Sequence, residues 1–170
     1  MSIQLLSNIV IGLALVGFLA YRQMRWSYVD RSSLWRMPLI LGVIGVVEIG
    51  GMSKTLRVTG VDITFIAIEL LVSLALGLVM GRITVFRRAL TADNRGRMIE
   101  ARTGGAGAAL WLVLIAVRVG LDVAGGFLGA HLLTATGVIL LTVAVNRAAR
   151  ALVLDARIPS AAVTPVRSRV

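Results

Sequence analysis

The chain has 170 residues, a formal net charge of +10, no cysteine and one histidine. At 58% hydrophobic residues and a mean hydropathy of +0.91, it carries more apolar surface than a water-facing domain of this size can hide, and a membrane bundle is the class that fits. The missing cysteine excludes disulfides, thiol chemistry, cysteine-ligated metals and covalent haem, and the length suits one domain.

In chain order, the first apolar run covers residues 3–21. It lacks a basic n-region and a small-residue cleavage site, so it reads as a retained span rather than a signal peptide. A short loop with Arg22, Arg25, Arg31 and Arg36 follows, with Trp26 and Trp35 placed as interfacial anchors. A second span, 34–52, is expected to start near the Ser32-Ser33 cap, with Pro38 in its first turn. The polar connection 53–62 leads into a third span, 63–80, where Gly77 and Gly81 form a G-x-x-x-G pair suited to close helix approach.

Residues 82–103 form the longest polar stretch. The segments around Val85-Phe86 and Ile99-Glu100 are strand-like and flank an Asp93-Asn94-Arg95-Gly96 turn signal, so a small β-hairpin is expected, with a frayed extension of the third helix as the alternative. Gly104–Gly107 lacks the lysine of a phosphate loop and reads as a flexible entry to a fourth span, 105–121. Gly125-Gly126 then suggests a tight turn into a fifth span, 127–145. Residues 147–170 read as a basic tail, able to begin as a surface helix and disordered at its end.

Alternating these spans puts 15 of the 18 basic residues on one side of the membrane, with Lys54 and Arg57 opposite and Arg118 inside a span. By the positive-inside rule the N-terminus lies outside and the C-terminus in the cytoplasm, and the hairpin is cytoplasmic. The fold class expected is therefore an all-α integral membrane protein of five transmembrane helices with a cytoplasmic hairpin. The positive charge is read as attraction to anionic headgroups at that face rather than to nucleic acid, since no interleaved aromatic platform accompanies it.

The residues resemble the CcdC-like group of small bacterial membrane proteins, named for an association with cytochrome c maturation. The likeness runs through Arg22 and Arg25, Pro38, Arg57-Val58-Thr59, the strand-like segment after Arg82, and Ile115-Ala116-Val117-Arg118. It covers about residues 10–145. The resemblance implies a fold and a place in the bacterial cell membrane; it implies no catalytic set.

Arg118 is the sharpest feature, because a guanidinium in hydrocarbon must face protein, water or a counter-charge. At a rise of 1.5 Å per residue, Glu48 lies ~6 Å, Glu69 ~10 Å, Arg118 ~6 Å and His131 ~7 Å below the outer end of their spans, with Asp122 at the boundary. These five ionisable groups from four helices thus share the outer third of the bilayer. In one reading Arg118 pairs with Glu48 or Glu69, Asp122 helps at i+4, and the set holds the helices together. In the other the cluster lines a pocket for a polar small molecule, a quinone or lipid headgroup, or protons. A lone His131 without a partner motif argues against a haem, zinc or di-metal site, and no cofactor is expected. The expected role is that of a non-enzymatic accessory, regulatory or small-ligand-binding protein, as a homo-oligomer or with a membrane-protein partner. The alternative is a proton- or ion-coupled small-molecule carrier working as a homo-oligomer.

Overall fold

The computed structural model describes residues 17, 21, 24–29, 31–52, 58–89, 91, 94 and 98–162. Four helices are long and apolar enough to cross a membrane: α1 (Arg31–Met52), α2 (Gly60–Ile83), α3 (Gly104–Phe127) and α4 (Thr136–Ala162). Three short strands, β1 (Ser27–Tyr28), β2 (Val85–Arg88) and β3 (Ile99–Arg102), form one antiparallel sheet in the order β1-β3-β2. The expected first span, 3–21, lies outside the described residues except for Gly17 and Tyr21.

The distribution of polarity is that of a protein bathed in hydrocarbon. Val47 is 67% exposed and Leu71 65%, while Asp62 and Ser73 are fully buried and Asn146 is 1% exposed. Apolar side chains facing out and polar ones facing in would not persist in water. Helix α4 is the hub. It packs against both α1 and α2, and α3 reaches the bundle through α2.

Small residues make those approaches close. A Cβ on Gly77 would sit 2.8 Å from the Ala149 Cβ, and one on Gly81 would sit 2.6 Å from the Val153 Cβ, so the glycine pair lets the α2 and α4 backbones meet. On the other side of α4, Gly137 faces Gly45 of α1.

Several boundaries differ from those expected. Helix α2 starts at Gly60 because Thr59 and Asp62 form a capping box: the Thr59 hydroxyl accepts from the Asp62 N–H, and the Asp62 carboxylate accepts from the Thr59 N–H. Helix α1 starts at Arg31, so Pro38 is interior rather than in the first turn, and it offers no N–H to the Leu34 carbonyl. Gly104, with φ +70°, and Gly105 belong to helix α3 rather than to a flexible entry.

The fourth span is longer than expected and the fifth begins later. Helix α3 runs through Gly125-Gly126 to Phe127, because apolar neighbours tolerate glycine within a helix that loses no hydrogen bonds. It stops at Gly129, whose φ of +81° is accessible to glycine without strain. The Ala130 N–H then donates to the Gly125 carbonyl at 2.8 Å and the Gly129 N–H to that of Gly126 at 3.3 Å, the paired bonds of a Schellman cap. Residues 128–135 form a loop. The last helix passes without a break through Asn146 and Arg147, so the stretch assigned to a tail is helical as far as Ala162. Residues 163–170 lie outside the described residues.

Strands β2 and β3 pair with Arg87 opposite Glu100, and the two side chains bond at 2.7 Å across the ladder. The turn expected at 93–96 is described only at Asn94. The sheet adjoins the ends of α2 and α3 through Thr84 and Thr103, the residues that flank those helices. This is the sheet end of the bundle; the loop 128–135 marks the other, the loop end.

Candidate functional site

Near the loop end, Arg118 of α3 forms an ion pair with Glu69 of α2. Its Nη2 donates to the Leu133 carbonyl at 2.7 Å, and its Nε stands 3.8 Å from Asp122 Oδ2, one turn on along the same helix. Glu69 Oε1 also accepts from the Thr142 hydroxyl of α4 at 3.1 Å. The pair therefore ties α2, α3, α4 and the loop to one point. Glu69 is nearly sealed, with its side chain 3% exposed against 17% for Arg118. A carboxylate and a guanidinium this dry depend on each other, since removing either strands a charge.

Asp62 builds a second knot at the same end. Its Oδ2 accepts from the Thr59 hydroxyl at 2.6 Å, and its Oδ1 accepts from the backbone N–H groups of His131 at 2.8 Å and Leu132 at 3.0 Å. The aspartate that opens α2 thus also fastens the loop between α3 and α4. Leu133, next along, then presents its carbonyl to Arg118. The two knots share one loop.

A polar ladder leads from Glu69 toward the sheet end. The Ser73 hydroxyl donates to the Thr142 carbonyl at 2.8 Å, and the Asn146 amide donates to the Ser73 carbonyl at 3.0 Å. Glu69, Ser73, Gly77 and Gly81 fall four apart, so they form one stripe of α2 against α4. Because the Ser73 and Asn146 protons end on backbone carbonyls, these bonds hold helices together and do not relay protons from side chain to side chain.

At the sheet end, Arg150 of α4 donates through Nη2 to Thr103 Oγ1 at 2.6 Å, while Arg157 donates through Nη1 to the carbonyls of Gly81, Arg82 and Thr84 at 2.8–2.9 Å. Arg157 thereby satisfies the last carbonyls of α2, where a cation is favoured by the helix dipole.

No family model, curated protein or solved structure matches this chain. The function must be read from the geometry.

Of the five ionisable residues grouped from the sequence, the structure unites Glu69, Arg118 and Asp122. Glu48 stands apart: it is exposed on α1, with its Cβ against Gly137 of α4 rather than near Arg118. His131 is not inside a helical span. It lies in the loop with its side chain exposed, and its contribution to the knot is its backbone N–H. The late stop of α3 at Gly129 is the cause of that shift.

Sequence reasoning missed Asp62, Thr142, Ser73, Asn146 and Arg150. Thr59-Gly60-Val61-Asp62 has the spacing of a capping box and could have been recognised. The single polar residues within apolar spans gave no comparable signal. Two polar atoms of the loop-end cluster, Glu69 Oε2 and Asp122 Oδ1, are buried without a hydrogen-bond partner among the described residues, as are Trp111 Nε1 and Arg150 Nε toward the sheet end.

Proposed function

We propose that this chain is a non-enzymatic, multi-pass protein of the bacterial cell membrane, acting as an accessory, regulatory or small-ligand-binding subunit. In this reading residues 3–21 supply a fifth span, the N-terminus faces outward, and the sheet faces the cytoplasm. The 15 basic residues assigned to the sheet side support that orientation. Membership of the CcdC-like group is part of the same proposal and rests on the short segments named above. The protein works beside a membrane-protein partner or a second copy of itself.

One observation carries the non-enzymatic reading. The Arg118 guanidinium is consumed by Glu69 and the Leu133 carbonyl, and Glu69 is shared with Thr142, so the cluster closes on itself as a helix clamp. Glu69 Oε2, buried and without a hydrogen-bond partner among the described residues, is what favours the second reading, a proton- or ion-coupled carrier working as a homo-oligomer.

The test is reconstitution of the purified full chain in proteoliposomes loaded with a pH-sensitive dye, in parallel with affinity purification from mild detergent. An accessory protein retains a stoichiometric partner and adds no proton or ion flux above empty vesicles. Flux abolished by Glu69→Gln would establish the carrier instead. For the orientation, a cysteine at Asn94 should resist a membrane-impermeant thiol reagent in intact cells while one at Thr55 reacts. The reverse labelling would invert the topology.

A further inference from the structure

A cavity of about 330 Å³ opens at the sheet end, between β1, Ala101 of β3, the first turns of α1, Trp111 of α3 and the 146–154 stretch of α4. Its size falls in the range of about 300–1,000 Å³ usual for small-molecule sites. Two buried donors in its wall, Trp111 Nε1 and Arg150 Nε, have no acceptor among the described residues. Arg150 is held in place by its bond to Thr103, so its guanidinium is oriented in advance.

Among the described residues that line it, Arg150 brings a positive charge and no aspartate or glutamate brings a negative one. A buried donor on a cationic group is costly to leave unmet, and an oxyanion meets it best, with charge-assisted bonds. A free anion would need no apolar wall, yet Leu34, Met37, Pro38 and Leu154 form one. Met37 is 53% exposed and continues along α1 into Ile40 at 52% and Ile44 at 44%, an apolar track leading out of the cavity on one helix face. The donors and the track together describe a molecule with an anionic head and a hydrocarbon tail.

We propose that this cavity binds an anionic phospholipid, its phosphate accepting from Arg150 Nε and Trp111 Nε1 and its first methylenes lying against Leu34, Met37 and Leu154. Arginine clusters between helix ends near the membrane surface are suited to such headgroups. The inference rests on the membrane-protein reading above for the source of the ligand, but not on the choice between accessory protein and carrier. Flux and lipid retention are separate readouts, so either result can fail alone.

The test is native mass spectrometry of the full chain released from a mild neutral detergent, titrated with phosphatidylglycerol or with phosphatidylcholine. A parallel arm follows the unfolding temperature with inorganic phosphate. Phosphatidylglycerol should be retained at least about tenfold more tightly than phosphatidylcholine, and Arg150→Gln should remove most of that difference. Trp111→Phe, which keeps the ring and deletes the donor, should weaken retention by about threefold to fivefold in a chain that unfolds at nearly the wild-type temperature. Equal retention of the two lipids, or retention untouched by Trp111→Phe and Arg150→Gln alike, would overturn the proposal. So would inorganic phosphate stabilising the protein as much as phosphatidylglycerol does, since that would make the site one for a free anion.

Discussion

At the loop end, Arg118 meets a carboxylate, a backbone carbonyl and a second carboxylate at 3.8 Å, all supplied by this chain. At the sheet end, Arg150 meets the neutral hydroxyl of Thr103 and leaves Nε without an acceptor among the described residues. Both guanidinium groups are taken out of water by the same four-helix packing. The first is balanced by Glu69 and is best understood as a clamp. The second, with no acid among the described residues of the cavity it lines, is best understood as half of an interaction whose other half is a ligand. Arg157, bonded to three carbonyls at the end of α2, shows a third way of settling a cation and needs no anion. Position in the span is therefore a poor guide to what an arginine does. The useful question is how many of its donors the chain itself consumes.

The largest effect should come from breaking the clamp. Arg118→Ala or Glu69→Gln is expected to destabilise the bundle by about 3–5 kcal/mol, because each leaves a buried partner uncompensated. The double variant should recover part of the loss, whereas Arg118→Ala with Glu48→Gln should be additive, since Glu48 is exposed on α1. Unfolding in detergent across the two cycles measures this, and coupling to Glu48 would move the clamp to the wrong helix.

Next in size is the Asp62 knot. Asp62→Ala removes the bonds its carboxylate accepts from the Thr59 N–H and hydroxyl and two charge-assisted bonds from the His131 and Leu132 amides, with an expected cost of about 2–3 kcal/mol. Hydrogen exchange should rise at those two amides before it rises in α2. Uniform loss of protection along α2 alone would mean that the aspartate serves the helix and not the loop.

How much of this arrangement the sequence disclosed differs by region, for physical reasons. The apolar runs that became α1 to α4, the Gly77–Gly81 approach and the need of Arg118 for an acid are properties of spacing and of desolvation, which need no knowledge of neighbours. The choice of Glu69 over Glu48 was not readable, because it depends on which faces of α1 and α2 turn inward. Gly125-Gly126 looked like a turn, although glycine inside a membrane helix is cheap and the left-handed residue that ends α3 is Gly129. That one displacement carried His131 out of the span. Strand β1 is two residues long and pairs with Ala101 and Glu100 far along the chain, a contact no local pattern signals. Arg147, Arg150 and Arg157 resembled a solvated tail, because nothing in the sequence shows that α4 continues against α2 and offers them helix ends and a cavity.

A smaller effect should follow from closing the space that lets α2 and α4 meet. Gly77→Ala places a methyl 2.8 Å from the Ala149 Cβ and should cost about 1–3 kcal/mol by overpacking. Gly120→Ala, where a Cβ would meet nothing within 4 Å, should cost less than about 0.5 kcal/mol. Thermal unfolding of the two variants side by side tests whether the glycine stripe or glycine content in general sets the packing.

The contrast between the two arginines is tested most directly by the rise in unfolding temperature that phosphatidylglycerol produces in detergent. It should be measured on the wild type, Arg150→Gln and Glu69→Gln. Arg150→Gln should unfold near the wild-type temperature without lipid and gain little from it. Glu69→Gln should start lower and show the full lipid-dependent rise. A rise that persists in Arg150→Gln, or one that disappears in Glu69→Gln while Arg150 is intact, would contradict the assignment of clamp and ligand site to opposite ends of the bundle.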